Sequence, residues 1–192
     1  MRGRRVLVCG GSRGIGFAAA EEFVREGADV TICARSEVPL HDALRRLGAN
    51  GGTARGVAAD LATEAGIAAV IDAVGADAVD VLVTNTAGPP TSATLEPDWA
   101  TWQSATELLL RSAVEMSRAF IPAMRERKWG RVIGITSLAV KRPERSLVLS
   151  NSIRAAVTGF YRTLADEVGA DGVTVNTVLP GYTATERLEA LA

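Results

Sequence analysis

Residues 6–16 read VLVCGGSRGIG, an apolar run that ends in a glycine-rich turn and leads into a predicted helix. Gly10, Gly14 and Gly16 form the pattern G-x-x-x-G-x-G. Such glycines allow a tight turn, a close approach of a pyrophosphate to the helix N-terminus, and close packing of the helix on a sheet. An ordinary strand–helix turn is the alternative. Because the loop joins the first predicted strand to the first predicted helix, it favours nucleotide binding.

Short apolar runs alternate with amphipathic stretches from one end of the chain to the other. Runs of five to seven residues rich in Val, Ile and Leu suit strands buried on both faces, and the alternation implies right-handed βαβ crossovers. The sequence therefore predicts an α/β fold, a Rossmann-type doubly wound parallel sheet forming one domain over residues 1–192. The predicted strands are 5–9, 29–34, 54–58, 79–84, 131–136 and 173–179, and the predicted helices are 14–26, 37–47, 63–74, 98–127 and 151–168.

Composition excludes several classes of function. The 192 residues are 47% hydrophobic and 22% charged, with a formal net charge of −1, which gives no argument for nucleic-acid or membrane binding. Cys9 and Cys33 end apolar runs and are interpreted as reduced, buried residues of a cytoplasmic protein. With His41 as the single histidine, the sequence predicts no metal site and no histidine-based triad.

Five motifs in chain order resemble those of the short-chain dehydrogenases/reductases, in particular the 3-oxoacyl reductases. The glycine loop has the family's wide spacing, with Cys9 where Thr is usual. The other motifs are Asp60–Leu61 in AADLAT, Asn85–Gly88 in TNTAG, Ser137 in ITS, and Pro180, Gly181 and Thr185 in VNTVLPGYTATE.

The resemblance implies a nicotinamide cofactor held along the chain's glycine loop and strand ends. In the family the Asp60 position contacts the adenine ring, and the Pro-Gly-x-x-x-Thr segment lies against the nicotinamide. The expected cofactor-binding residues are Gly10, Ser12, Arg13, Gly14, Ile15, Gly16, Arg35, Asp60, Leu61, Asn85, Ala87, Gly88, Arg154, Pro180, Gly181, Thr183 and Thr185.

The residues after the second strand favour NADP(H) over NAD(H). An NAD enzyme usually places a carboxylate here for the ribose 2′-hydroxyl, whereas this chain has Ala34 followed by Arg35. Arg13 of the glycine loop can converge on the same place. Two guanidinium groups without a carboxylate suit a 2′-phosphate, although two merely exposed arginines remain the alternative.

The catalytic positions depart from the family's pattern. Aligning Ala155–Phe160 with the family helix places Ser150 at the catalytic Tyr position and Arg154 at the Lys position, and Leu109 falls where the family has Asn. Ser137 matches the catalytic serine. The expected catalytic residues are therefore Ser137, Ser150 and Arg154. Serine is a weaker acid than a phenol, and arginine cannot relay a proton.

Three functions stay open on these residues: an NADP(H)-dependent reductase of a carbonyl substrate such as a 3-oxoacyl thioester, a non-redox dehydratase, cyclase or isomerase, and a cofactor-binding protein without catalysis. Tyr161, Tyr182 and water are weak candidates for the missing acid, and Asn151 is a candidate to bind a substrate carbonyl. The resemblance also implies a homodimer or homotetramer through helices 98–127 and 151–168. Because family members continue beyond the Pro-Gly segment, we expect a fragment that lacks a lid and a final strand.

Overall fold

The computed structural model describes residues 1–49 and 53–185, and these form one α/β domain around a parallel sheet. Among the described residues six strands pair in the order β3-β2-β1-β4-β5-β6. The strands are β1 Arg5–Cys9, β2 Asp29–Ala34, β3 Ala54–Ala58, β4 Val81–Thr84, β5 Gly130–Ile135 and β6 Val173–Val178. The helices are α1 Gly14–Arg25, α2 Glu37–Ala49, α3 Glu64–Val74, α4 Trp99–Thr106, α5 Ser112–Glu126 and α6 Val148–Val168. The predicted doubly wound parallel fold is confirmed.

Alternate residues of the strands bury opposite faces of the sheet, which is why each face carries its own core. Val6 and Val8 of β1 pack with α1 and α2, whereas Leu7 and Cys9 pack with α3, α5 and α6. Phe120 of α5 lies at the centre of the second core and is fully buried. The continuous apolar runs of the sequence therefore correspond to strands covered on both sides.

The strand order reverses between β1 and β4, since β1 runs next to both β2 and β4. The connection from β1 leads to β2 on one side of that point, and the connection from β4 leads to β5 on the other. In open α/β sheets the crevice at the carboxyl ends of two such strands is the usual ligand site. Here that crevice lies between Cys9 at the end of β1 and Thr84 at the end of β4.

The long helix predicted at 98–127 is interrupted. Helices α4 and α5 are joined by a π-helical turn, Glu107–Arg111, and Pro122 lies inside α5. Asp98 caps α4 as expected, because its Oδ1 accepts a hydrogen bond from the Thr101 N–H at 2.9 Å.

The helix predicted at 151–168 begins earlier than expected, since α6 starts at Val148. The residue at its N-cap, Leu147, is apolar, and no side-chain cap marks the start of α6 in the described chain. The structured part of the chain contains no helix that is both long and apolar enough to cross a bilayer.

Candidate active site

The glycine loop is packed so closely against β4 that side chains would not fit. Gly10 has a φ of +60°, and a Cβ there would lie 2.7 Å from the Asn85 carbonyl oxygen. A Cβ on Gly16 would lie 2.2 Å from the carbonyl oxygen of Gly10. The Asn85 side-chain amide donates to that same Gly10 oxygen at 3.2 Å. The loop is therefore fixed by backbone contacts, and the Asn85 side chain links the end of β4 to the end of β1.

The N-terminus of α1 opens onto this loop. Arg13 is the N-cap residue in extended conformation, and no side chain caps the first turn of α1 within the described residues. Ser12 and Ile15 are half-buried, and Arg13 is exposed. Because the first N–H groups of a helix have no intrahelical acceptor, an uncapped first turn beside glycines is suited to an anionic phosphate.

The segment after β6 folds back over the glycine loop. Thr185 lies against Gly14, since a Cβ on Gly14 would lie 3.2 Å from the Thr185 Cγ2 atom. The Thr185 hydroxyl donates to the Thr183 carbonyl at 3.3 Å, and that of Thr183 donates to the Gly181 carbonyl at 3.4 Å. The expected cofactor-binding residues of this segment thus lie over the expected phosphate loop.

A further contact fixes the start of that segment. The Pro180 carbonyl accepts a hydrogen bond from the Leu138 N–H at 2.9 Å, next to Ser137. The segment after β6 therefore reaches both the loop at β1 and the loop at β5.

The adenine side of the crevice also has the expected residues at strand ends. Ala34 is buried at the end of β2, and Arg35 follows it at the surface. The Asp60 carboxylate accepts from the Ala62 N–H at 3.0 Å, so that its own turn holds it at the end of β3, and Leu61 is buried. After β4, Ala87 is exposed and Gly88 half-buried.

Ser150 and Arg154 are one helical turn apart on α6 and are in contact. The Arg154 Nε atom donates to the Ser150 hydroxyl oxygen at 3.2 Å. Its Nη1 atom donates to the carbonyl oxygens of Ile135 at 3.1 Å and Thr136 at 3.3 Å. The guanidinium group therefore ties α6 to the carboxyl end of β5, immediately before Ser137.

Ser137 begins a 3-10 turn, Leu138–Val140, and its hydroxyl oxygen accepts from the Ala139 N–H at 3.1 Å. Since that contact uses the oxygen as an acceptor, the hydroxyl hydrogen stays available to a substrate. The same holds for Ser150, whose oxygen accepts from Arg154. The site thus offers two hydroxyl donors, one of them polarised by a cation.

A cavity of about 20 Å³ lies behind Arg154 and is bounded by Thr84, Asn85, Leu109 and Ser112. A space of this size and polarity is large enough for a single water molecule. Leu109 is buried in the π-helical turn, so that its side chain fills the place where an amide would have faced this cavity.

Tyr161 is held inside the second core. Its hydroxyl group lies 2.6 Å from the Thr84 hydroxyl, and burial raises the pKa of Tyr161 to about 12. A Cβ on Gly134 would come within 2.3 Å of the Tyr161 ring. Glycine inside a strand is a signal of such a close approach, and it could have located this contact from the sequence. Tyr161 is therefore packed, as expected, and is not positioned as an acid.

The two remaining candidates have other surroundings. Tyr182 has 77% of its surface exposed. The Asn151 amide donates to the Glu144 carbonyl at 2.8 Å and its oxygen accepts from the Glu144 N–H at 3.5 Å, so it fixes the loop before α6. That loop is joined to the β4–α4 loop by a hydrogen bond from the Ser92 N–H to the Ser146 carbonyl at 2.8 Å.

Solved structures share this fold over nearly the whole chain. L-sorbose reductase from Gluconobacter frateurii, complexed with NADPH and L-sorbose, superposes with a TM-score of 0.92 at 35% identity, covering 97% of this chain and 72% of that one. A 3-oxoacyl (acyl-carrier-protein) reductase from Agrobacterium tumefaciens with NADP bound gives a TM-score of 0.92 at 33% identity, with the same coverages of 97% and 72%.

Curated relatives agree with the structural neighbours. The 3-oxoacyl-(acyl-carrier-protein) reductase of Salmonella typhimurium is 33% identical over 192 aligned positions, and the match covers 99% of this chain and 78% of that enzyme. The corresponding reductase of Vibrio cholerae is 34% identical and covers 100% of this chain. The family model described as short chain dehydrogenase matches residues 4–192. The chain therefore belongs to the short-chain dehydrogenase/reductase family of oxidoreductases.

Proposed function

We propose that this protein is an NADP(H)-dependent reductase of a ketone, such as a 3-oxoacyl or polyketide-like substrate, that uses a non-standard proton donor. One observation carries the proposal. The closely packed glycine loop and uncapped α1 N-terminus lie at the same end of the sheet as a cluster of hydroxyl groups and one guanidinium, formed by Ser137, Ser150 and Arg154. A carrier site and a carbonyl-binding site thus share one crevice.

The residues present fit an NADP(H) molecule. The first turn of α1 offers N–H groups to the pyrophosphate, and Arg13 and Arg35 offer charge to a 2′-phosphate. Ala34 places no carboxylate at the end of β2. Bound NADPH in the sorbose reductase and bound NADP in the A. tumefaciens reductase support the same choice. When bound, the cofactor supplies the hydride.

The proposed contacts extend along the crevice. Asp60 and Leu61 would border the adenine, Arg154 the nicotinamide ribose, and the segment after β6 the nicotinamide itself. The full proposed set of cofactor contacts is Gly10, Ser12, Arg13, Gly14, Ile15, Gly16, Arg35, Asp60, Leu61, Asn85, Ala87, Gly88, Arg154, Pro180, Gly181, Thr183 and Thr185.

Ser150 is the proposed proton donor, and Ser137 the residue that orients the carbonyl. Because Arg154 donates to the Ser150 oxygen, the positive charge stabilises developing negative charge on that oxygen and makes its proton more easily released. The same arrangement holds the Ser150 hydrogen away from Arg154 and toward an acceptor. A serine is still a weak acid, so we expect slow turnover compared with a tyrosine-bearing site.

A second candidate is a protein that binds NADP(H) without net redox chemistry, either as a partner or as a non-redox enzyme. The observation favouring it is the use of Arg154, whose Nη1 atom is committed to two backbone carbonyls of β5 and the residue after it. A guanidinium group held this way fixes α6 whether or not any substrate is reduced.

The experiment that separates the candidates is NADPH oxidation with a panel of ketones that includes 3-oxoacyl thioesters. We expect slow loss of nicotinamide absorbance that is abolished by Ser137→Ala and reduced by Ser150→Ala. Thr163→Ala, an exposed hydroxyl substitution farther along α6, serves as the matched control and should leave the rate unchanged. Tight NADPH binding without turnover on the whole panel would refute the reductase and favour the second candidate.

The proposal includes a cytoplasmic homodimer or homotetramer whose subunits meet along α4–α5 and α6. Trp99 at the start of α4 has 72% of its surface exposed, and aromatic side chains of this kind are enriched at protein interfaces. Light scattering of the purified protein measures the assembly directly, and a monomer at all concentrations would refute it.

A further inference from the structure

Two cysteines lie side by side beneath the glycine loop. Cys9 at the end of β1 is the register partner of Cys33 in β2, and both side chains belong to the same core. Their exposed fractions are 1% and 0%. Neither thiol is part of a disulfide.

The pair is joined to the loop through backbone contacts. Cys9 directly precedes Gly10 in the chain. The next amide, Gly11 N–H, donates to the Cys33 carbonyl at 3.1 Å. Both cysteines are therefore tied to the first two glycines of the loop.

We infer that Cys9 and Cys33 are an oxidisable pair whose disulfide distorts the glycine loop and weakens NADP(H) binding. Neighbouring strands lie about 4.8 Å apart, within the Cα separation of about 4.4–6.8 Å that a disulfide spans. The two Cβ atoms of a disulfide lie about 3.8 Å apart, which is less than the spacing of neighbouring strands. Oxidation must therefore draw the ends of β1 and β2 together at the residue before Gly10.

The loop has no room to absorb that movement. Gly10 already packs against the Asn85 carbonyl and Gly16 against the Gly10 carbonyl, so a shift of Gly10 breaks contacts on both sides. The Asn85 amide, which donates to Gly10, loses its acceptor in the same movement. A strained disulfide in such a place is also readily reduced, as expected of a reversible modification.

Either thiol can start the reaction, because the two cysteines are register partners on neighbouring strands and lie in the same core.

Hydrogen peroxide is the proposed oxidant because it is small enough to reach a buried pair during local opening. The thiolate of one cysteine attacks one peroxide oxygen, the O–O bond breaks, and a sulfenic acid and water result. The sulfur of the other cysteine then attacks the sulfenic sulfur, the S–O bond breaks, and a second water leaves. Two thiols lose two electrons and two protons, and one peroxide becomes two waters.

The test is a peroxide titration of the reduced full chain, read by intact mass, peptide mapping and NADPH affinity. We expect a Cys9–Cys33 disulfide, an NADPH dissociation constant raised at least about tenfold, and full recovery with a dithiol. By reciprocity, saturating NADPH should slow disulfide formation. Cys33→Ser is the matched control and should bind NADPH equally well before and after peroxide; Cys33→Ala replaces it should the serine variant not fold.

This inference rests on the proposed cofactor site, and a second measurement distinguishes a failure of the inference from a failure of that site. Amide hydrogen exchange over residues 10–16 should rise on oxidation of the wild type and stay constant in Cys33→Ser, with no cofactor present. Thiols that stay free while the fold is intact, or a disulfide that leaves both exchange and affinity unchanged, would overturn the inference. Reduced protein that does not bind NADPH would refute the cofactor site alone.

Discussion

The two halves of the crevice are built in different ways. At the β1 and β4 ends, the glycine loop is fixed by backbone atoms that touch one another, with Gly16 against Gly10 and Gly10 against Asn85. At the β5 end, the proposed chemistry depends on two side chains of α6, Ser150 and Arg154. Replacing a residue in the first half disturbs backbone packing, whereas replacing one in the second removes side-chain hydrogen bonds and changes the chemistry.

This difference explains how a family member can keep its carrier site while losing the usual acid. The helix α6 is anchored by the fully buried Leu149 and Tyr161, neither of which is a proposed catalytic residue. Ser150 can therefore vary without loss of packing, whereas replacing Arg154 removes its hydrogen bonds to the Ile135 and Thr136 carbonyls. Function has to be inferred from the site and not from the fold.

The largest effect is expected from restoring the family's tyrosine and lysine at positions 150 and 154. In a Ser150→Tyr, Arg154→Lys double variant, a phenol replaces the hydroxyl and a neighbouring ammonium lowers its pKa. We expect NADPH-dependent ketone reduction to rise by about 100- to 10,000-fold, the usual contribution of general acid catalysis. Steady-state rates on the most reactive ketone of the panel measure it.

The control for that experiment is the same double variant carrying Ser137→Ala, in which the gain should disappear. Intact NADPH binding without any gain in rate would show that proton donation is not what limits the site, and it would contradict the proposed role of Ser150.

In the glycine-loop half of the crevice, a single added methyl group should have a large effect on cofactor binding. A Gly16→Ala variant places a methyl group 2.2 Å from the Gly10 carbonyl oxygen, so the loop must move. We expect NADPH affinity to fall by about 100-fold, equivalent to roughly 3 kcal/mol. Calorimetry on the folded variant measures it. Gly169→Ala is the matched control, since no atom lies within 4 Å of its Cβ position, and wild-type affinity for Gly16→Ala would contradict the packing argument.

A charge reversal at Arg35, after β2, tests whether the site prefers NADP(H) over NAD(H). Arg35→Asp removes a proposed donor to the 2′-phosphate and adds a repelling carboxylate, while NADH has no phosphate there. We expect NADPH affinity to fall by about 10- to 100-fold and NADH affinity to hold or improve. Arg25→Asp, an exposed reversal in the last turn of α1, is the control. Equal losses for both cofactors would indicate damage to the loop and not a lost phosphate contact.

The core behind the site gives a prediction about stability. The pKa of Tyr161 is raised by burial to about 12, so its stabilising contribution is complete below pH 10 and is lost as pH rises through 12. The free energy of unfolding should therefore fall by up to about 3 kcal/mol over that interval. Tyr161→Phe should lose about 1 kcal/mol at neutral pH, through the broken contact with Thr84. Its alkaline loss of stability should be smaller by the Tyr161 contribution, leaving that of the buried Cys9, whose pKa is also raised.

Tyr182→Phe is the matched control, because the chain has only these two tyrosines and Tyr182 is largely exposed. Urea unfolding at several pH values measures both variants. An alkaline dependence as steep in Tyr161→Phe as in the wild type would show that Tyr161 does not contribute to it.

Most of the fold could be predicted from the sequence because it is encoded in local patterns. Short apolar runs located β1, β2 and β3 at the residues where the structure has them, and the glycine spacing identified the loop at Gly10. The boundaries of α6 and the break in the long helix could not be predicted, since they depend on backbone hydrogen bonds and not on residue type. The Leu147 N-cap, for example, carries no polar side chain to mark it.

For the candidate site, the sequence could name the proposed members but not their contacts. Alignment named Ser137, Ser150 and Arg154, yet it could not show that Arg154 donates to the Ile135 and Thr136 carbonyls. Nor could it show that Asn151 is used by the Glu144 backbone. Long polar side chains choose among several acceptors, and only the packed structure determines which acceptors lie within reach.

The π-helical turn at Glu107–Arg111 has a consequence for how this chain tolerates change in length. A π turn holds one residue more than an α turn, and each residue of an α-helix adds a rotation of about 100°. Deleting one residue from this turn would therefore leave an ordinary α turn, with Met116 and Phe120 of α5 still facing the core. The turn between Thr106 and Ser112 is thus a place where this chain can lose one residue without unseating the core of the domain.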